Sequence, residues 1–446
     1  MKLLLRQKDR VIRLISIISG ALWILAVLHI IFPRAPISPF MVGLLICFIL
    51  GAIPQLSLHT RVLCGALTMA TVIIAWLDGQ WSAIPDGLAK ATIFPAFLST
   101  IVLLRATADQ RPEIITAREM FGALDPTKRD SGIVIGTHLI GAILQVGVFA
   151  ILAPILNRGT SSQERRELFT VAIRGMGTVP FWSPFVVGMA VASQYLPMVP
   201  LWNIMPLGII ITILSVVISV VIFDRNPELK SIKLALRSFL PVAFPIFIAA
   251  LLVVGTTATT NLTTLQALIL SVPIPCLLAV MQIPGGSVRR ALRQTTNGIG
   301  QIGPVTSILA CSTMLGAVFE AALPNMGLIN WLKELALPSA AIIFIVILTI
   351  NIAGLFGIHP IVTGTILLVI FTSIPTGLTD LILMQSLLVG WGLCSVISIG
   401  SLTIATGAAM FQISPTDLIT KTNIAYVFLT SIIVGAVLAG LNTLIS

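Results

Sequence analysis

The chain has 446 residues, of which 57% are hydrophobic and 9% charged, against roughly a quarter charged in an ordinary soluble domain; its mean hydropathy is +1.06. No single soluble core hides that much apolar surface, which excludes a soluble globular protein, a disordered chain and a disulfide-knotted secreted domain. The 26 Lys and Arg outnumber the 16 Asp and Glu, for a formal charge of +10. In a membrane protein such an excess collects in cytoplasmic loops, and no long basic run interleaved with aromatics points to nucleic acid.

The basic start, MKLLLRQKDRVIR, leads into an apolar run over 11–32. That run is long enough to span a bilayer, about 20 residues being needed, and reads as an uncleaved first helix that begins in the cytoplasm. Further apolar runs fall at 36–54, 62–77, 88–104, 132–157, 200–223, 238–256, 264–282, 300–322, 337–356, 358–376 and 423–445. In lipid only a helix satisfies its backbone within one segment. The expected fold is therefore an all-α integral membrane protein with about 10–12 transmembrane helices.

Charges cluster between the runs: in 105–130, in 224–237 with Arg225, Lys230, Lys233 and Arg237, and at Arg289, Arg290 and Arg293. A simple span over 132–157 would leave Arg158, Arg165 and Arg166 outside, against the positive-inside trend. Either that stretch does not cross simply, or the basic residues lie along the outer surface. The cysteines Cys47, Cys64, Cys276, Cys311 and Cys394 are scattered in apolar text without a CxxC pair and read as small buried hydrophobes.

Two stretches, 167–197 and 381–413, are apolar but interrupted by Gly, Pro, Ser and Thr. They stand in corresponding places. Laying Ser183–Pro197 on Ser401–Pro415 matches Ser183 with Ser401, Ala190 with Ala408, Gln194 with Gln412 and Pro197 with Pro415; upstream, His138 lies against His359 with one small gap. The layout expected is two pseudo-symmetric repeats with re-entrant hairpins and discontinuous helices: N-terminal transmembrane helices over 1–87, a first repeat over 88–224, linking helices over 225–299 and a second repeat over 300–446. Interrupted helices in matching halves are a pointer to a secondary transporter, because freed carbonyls and amides must face a cavity, protein or an ion.

Three patches carry candidate chemistry. In RGMGTVPFWSP, 174–184, Gly175, Gly177, Pro180 and Pro184 are expected to stop a continuous helix, Thr178 and Ser183 offer hydroxyls, and Arg174 either attracts an anion or anchors a surface helix. In SVISIGSLTIAT, 395–406, Ser395, Ser398, Ser401, Thr403 and Thr406 surround Gly400; such hydroxyls also bond their own carbonyls one turn back. In NIAGLFGIHPIVTGT, 351–365, Pro360 frees the carbonyl of Phe356. Asn351, Phe356, Gly357, His359 and Thr363 are the ion-coupling candidates, through sodium at freed carbonyls or a proton on imidazole. Glu320, Asp380 and Asp417 are the few acidic residues near these runs, and no helix carries paired carboxylates of a proton pump. GxSxG, HExxH, Walker A and dinucleotide fingerprints are absent, so the chain does not read as an enzyme.

The second half, LTINIAGLFGIHPIVTGTILLVIFTSIP followed by GWGLCSVISIGSLTIATGAAMFQISPTDLITK, resembles the ion transporter superfamily. That group includes the divalent anion–sodium symporters and the large membrane subunits of tripartite ATP-independent periplasmic transporters. The resemblance covers 130–224 and 337–446. It implies a Pro-containing break at His359-Pro360, a hairpin with its broken helix over Leu387–Gln412, a surface helix over Pro415–Lys421, and in the first half a surface helix RRELFTVAIRG leading into a hairpin. It also implies an organic anion moved by elevator motion of a hairpin-bearing domain. The Ser-Asn-Thr signature of the symporters' hairpin tips is missing. Phe181-Trp182-Ser183-Pro184 stands at the first tip and His359 where relatives often have an acidic residue, so dicarboxylate specificity and sodium coupling are not carried over.

The function expected is a secondary active transporter in a cell inner membrane, coupled to Na+ or H+ and using no cofactor beyond Na+ as a coupling ion. Its partners are a small-molecule anion and the lipid bilayer, with a homodimer left open. Its substrate groups are Thr178, Ser183, Ser398, Ser401, Thr403 and Thr406. The alternative is a membrane subunit of a multi-component permease or assembly that does not transport alone.

Overall fold

The computed structural model describes all residues except 1, 113–115, 117–118, 120–129, 153–159, 225–226, 284, 286 and 446, together with the side chains outside 2–10, 150–151 and 238–246. The described chain is 82% helical with no strands. In chain order its helices are α1 Lys2–Ile31, α2 Ser38–Ala52, α3 Leu58–Asp78, α4 Ala83–Ala91, α5 Ile93–Ala108, α6 Asp130–Leu144, α7 Val148–Leu152, α8 Ser162–Gly177, α9 Val187–Tyr195, α10 Leu201–Phe223, α11 Leu229–Thr259, α12 Thr264–Ser271, α13 Pro273–Met281, α14 Val288–Ile299, α15 Gly303–Ala322, α16 Leu328–Glu334, α17 Ser339–Leu355, α18 Pro360–Thr372, α19 Asp380–Ile397, α20 Leu402–Phe411 and α21 Lys421–Ile445. Ten helical stretches among the described residues are long and apolar enough to cross a membrane. Large apolar side chains on them, such as Ile17, Val62, Trp76 and Val221, stand exposed, as lipid-facing positions do. The chain is a multi-pass, all-α membrane protein. Most of the charged loop 105–130, with Arg158 and Arg225, lies outside the described residues.

The chain divides into two compact units, 1–110 with 260–335 and 368–374, and 111–259 with 336–367 and 375–446. In the first unit three helices carry side-chain caps at their starts. Ser57 accepts the amide hydrogen of Thr60 at the start of α3, and Gly79, at φ +69°, closes its end. Thr263 and Gln266 form a reciprocal cap on α12, satisfying amides that a helix start leaves open. Ser287 caps the basic α14. Close contacts are made through small residues, as membrane helices prefer: a Cβ on Gly87 would fall 2.6 Å from the Met314 Cα.

The second unit holds every interruption singled out from the sequence. The apolar stretch from 132 is not one rod: α6 ends at Leu144, Gln145 adopts φ +49°, and α7 follows. Farther on, α8 ends at Gly177, a short 3-10 turn covers Val179–Phe181, and α9 begins at Val187. The second half repeats the order: α17, then Gly357 at φ +81°, then α18; α19, a gap over 398–401, then α20; and the long α21 where the first half has α10. This order puts Gln145, and not His138, in the place of Gly357. His138 is inside α6, seven residues before its left-handed residue, whereas His359 follows its own and precedes α18. The 165–175 stretch is no surface helix: from Leu168 to Gly177 every residue of α8 is buried. The expected surface helix at Pro415 is a single 3-10 turn, Pro415–Leu418.

Candidate functional site

The first interruption is built by packing as much as by proline. Helix α8 runs straight through Gly175 and ends on Gly177, both breakers by residue type. Their lack of a side chain serves close approach: a Cβ on Gly175 would lie 2.0 Å from the Val134 carbonyl oxygen, and one on Gly177 would lie 2.3 Å from Val396 Cγ2. From α19, a Cβ on Gly392 would lie 2.2 Å from the Gly177 carbonyl oxygen. The break therefore starts only at Thr178, where Pro180 follows, and the tip Thr178–Phe185 is buried except for the half-buried Trp182.

The polar side chains at this tip have specific partners. Thr178 donates to the Gly175 carbonyl at 2.8 Å and lies 2.8 Å from Nδ1 of His138. Trp182 donates its indole N–H to Nε2 of His138 at 3.2 Å. Ser183 donates to the Ala142 carbonyl at 3.1 Å and accepts from the Phe185 amide. Gln385 of α19 donates to the Phe181 carbonyl at 3.2 Å, and Thr212 of α10 to that of Thr178 at 3.3 Å.

At the second interruption Ser398 ends α19 in an extended conformation, and Ser401 caps α20 by accepting from the Ile404 amide while donating to the Ser395 carbonyl at 3.1 Å. Ser395 donates back to Gly392 at 2.6 Å. Ser398, Ser401 and Thr403 are buried and Thr406 half-buried. Thr178 and Ser183 were expected to face Ser398, Ser401 and Thr403; among the described residues no hydrogen bond joins the two sets, and the first tip meets α19 instead, Phe181 lying against Gln385 and Gly392, with the end of α8 against Gly392 and Val396.

The third patch scatters. Asn351 is fully buried in α17 and donates to Ser431 of α21 at 3.0 Å, leaving its Oδ1 without a partner. Phe356 is 80% exposed. Gly357 is buried and takes a left-handed conformation that side chains resist. His359 is half-buried, accepts the Ile361 amide hydrogen on Nδ1 at 3.2 Å, and sets its ring edge-on to Trp391 at 6.3 Å. Thr363 is half-buried on α18.

Residues that the sequence did not bring together form a further polar group. Arg174, only 3% exposed, donates from Nε to Oδ1 of Asn423 at 2.8 Å, and its guanidinium lies 5.0 Å from the centroid of Phe223 and 5.6 Å from that of Tyr426. These rings replace water around the charge. Asn423 Nδ2 and Gln385 Oε1 are buried without partners. Neither Asn423 nor Gln385 stood out in the sequence; a lone amide in an apolar helix was the available signal. Of the acidic residues, Glu320 pairs with Lys90 at 3.4 Å and Asp417 with Arg166 at 3.6 Å, all exposed, and Asp380 sits in the first turn of α19.

No protein-family model matches the chain, and no curated protein matches it, so the functional reading rests on these residues and their geometry.

Proposed function

We propose that this membrane protein is a secondary active transporter of the ion transporter type, moving a small organic anion across a cell inner membrane by alternating access, coupled to Na+ or H+. The observation that carries the reading is the recurrence, within one compact unit, of an interrupted hairpin followed by a long helix. Polar main-chain atoms released inside a lipid-embedded unit call for a solute, an ion or water. Buried amide atoms of Asn351, Gln385 and Asn423 without protein partners add to that demand. Arg174, held by a neutral amide and two aromatic rings with Asp130 and Asp224 in electrostatic reach, places a buried cation one helical turn before Thr178. Coupling follows if the ion favours the solute-loaded state, each raising the affinity for the other.

The test is uptake by liposomes containing the purified protein, offered labelled carboxylates one at a time under an imposed Na+ or pH gradient. Accumulation that needs the gradient supports the proposal. Gradient-independent leak marks a channel, and no flux until another chain is added marks a subunit of a larger permease. Ser183→Ala and Ser401→Ala are expected to lower uptake more than expression; silence of both removes the hydroxyls from the site.

A further inference from the structure

The hydrogen bonds around His138 can run in one direction only. An indole N–H is a donor and cannot accept, and a backbone carbonyl accepts and cannot donate. Trp182 therefore donates to Nε2 of His138, which places the ring proton on Nδ1. Nδ1–H then donates to Thr178 Oγ1, and the Thr178 hydroxyl passes its own hydrogen to the Gly175 carbonyl. Each group is satisfied only while the imidazole is neutral and carries its proton on Nδ1. A second proton at Nε2 would set one donor against another.

We propose that His138 is the proton-binding group of this protein, and that protonation of its Nε2 releases Trp182 and rearranges the hairpin tip at Thr178–Pro184. The new N–H bond forms with a proton from the aqueous phase, the Trp182–His138 hydrogen bond breaks, and the indole N–H turns to water or to lipid headgroups. Trp182 is placed for this: it is half-buried, at the rim of a tip whose other residues are buried, and its ring lies 6.0 Å from the imidazole, tilted 48°. His138 is 7% exposed, so departure of the indole uncovers it.

Charged groups on the neighbouring elements are directed elsewhere. Arg174 on α8 is turned to Asn423, Phe223 and Tyr426. Asp130 begins α6, and Asp224 accepts from Ser131. On α11, Lys230 and Lys233 flank Ser231, which packs on Gly132, and Arg237 is exposed. The turn 145–147, α7 and the turn 179–181 carry no charge. Resting on the transport reading above, this makes the proton the coupling ion and the first hairpin the element it moves.

The experiment uses the full chain in nanodiscs. Tryptophan fluorescence is titrated from mildly alkaline to acid pH in the wild type and in Trp182→Phe, and the difference isolates Trp182. The expected result is a reversible one-proton sigmoid that disappears in His138→Gln, whose amide keeps an acceptor and a donor without titrating. A flat difference signal, or the same sigmoid in His138→Gln, overturns the proposal. Labelled-histidine NMR of the wild type covers the case in which His138→Gln does not fold: one of the four histidines must show the neutral Nδ1–H form at alkaline pH, and its absence is equally fatal. In liposomes with labelled succinate and citrate, pH-driven accumulation should be lost in His138→Gln. Sodium-driven uptake indifferent to His138→Gln overturns the coupling role. A clear titration with no uptake of any solute refutes the transport reading and leaves the proton switch standing.

Discussion

In the first unit a hydroxyl inside a helix mostly bonds its own backbone: Thr71 to the Leu67 carbonyl, Thr100 to Ala96, Thr295 to Ala291 and Thr313 to Leu309. In the second unit helical hydroxyls do the same, Ser215 to Ile211 and Ser386 to Ile382, but other polar side chains reach other segments: His138 to Thr178, Ser183 to Ala142, Arg174 to Asn423, Asn351 to Ser431 and Gln385 to Phe181. Burial does not follow this division: in the first unit the most apolar window of Leu58–Asp78 is 22% buried and that of Gly303–Asn325 78%, and in the second that of Leu201–Phe223 is 33% buried and that of Asp380–Phe411 78%. Self-satisfied rods can face lipid on most sides; interrupted ones need protein around them. The contrast is between a unit whose helical hydroxyls are self-satisfied and one whose amide, imidazole and guanidinium groups tie separate segments together.

The largest test of that contrast is one substitution made in each unit. Gly392→Ala places a Cβ 2.2 Å from the Gly177 carbonyl oxygen and 2.7 Å from Phe181 Cε1, where backbone must move. Its cost is expected at the top of the roughly 1–3 kcal/mol range of overpacking. Gly65→Ala, with nothing within 4 Å of the new atom, should stabilise α3 by up to about 1 kcal/mol. Thermal unfolding of the two variants in detergent reads both signs; equal midpoints would mean that the first hairpin does not seat on α19 as described.

Next in size is Arg174→Met. The apolar stem keeps its packing, but the bond to Asn423 goes and leaves Oδ1 buried, so about 2 kcal/mol is expected, within the range for hydrogen bonds to charged groups. Arg166→Ala removes an exposed pair with Asp417 and should cost less than about 1 kcal/mol. If Arg166→Ala is the more damaging on the same unfolding assay, the buried cluster does not hold the unit together.

The extent to which the sequence announced this arrangement differs between the units. The continuous helices were legible because lipid imposes one rule, about 20 apolar residues per span, and α1, α3, α10 and α21 follow it closely. The second interruption was legible because Gly400 and a cluster of hydroxyls stand between two apolar runs; that Ser401 caps α20 was not. The first was blurred: Gly175 and Gly177 looked like breakers, yet helix geometry tolerates glycine and the neighbours Val134 and Val396 are what require it. The pairing of His138 with His359 misled for a related reason. Similar apolar text aligns easily, while the left-handed residues Gln145 and Gly357 are conformations that no letter marks outright. Partners such as Asn423, Gln385 and Phe181 are distant in sequence, and only the packed unit brings them to Arg174 and the first tip.

Helix caps sharpen the comparison at a smaller scale. Ser401→Ala removes the cap of α20 and the donor to Ser395, and about 1–2 kcal/mol is expected. Ser57→Ala removes the cap of α3 alone, and about 0.5–1 kcal/mol is expected. Ser401→Ala should also raise hydrogen exchange at the Ile404 amide; unchanged exchange there would show that the cap does not hold the start of α20.

The finest comparison uses one residue type and one substitution. Thr71 and Thr137 are both fully buried in helices. The Thr71 hydroxyl bonds only the Leu67 carbonyl of its own helix, an oxygen that already takes part in the helix ladder, so Thr71→Val should change stability by less than about 0.5 kcal/mol. The Thr137 hydroxyl also lies 3.0 Å from the Ala172 carbonyl on α8, next to the close approach of Gly175. Thr137→Val should cost about 1 kcal/mol, read as a lower unfolding midpoint, because the branched replacement keeps the shape but has no donor to span the two helices. Equal effects would mean that the cross-segment bonds of the second unit are incidental to its packing, and the distinction between the units would fall with them.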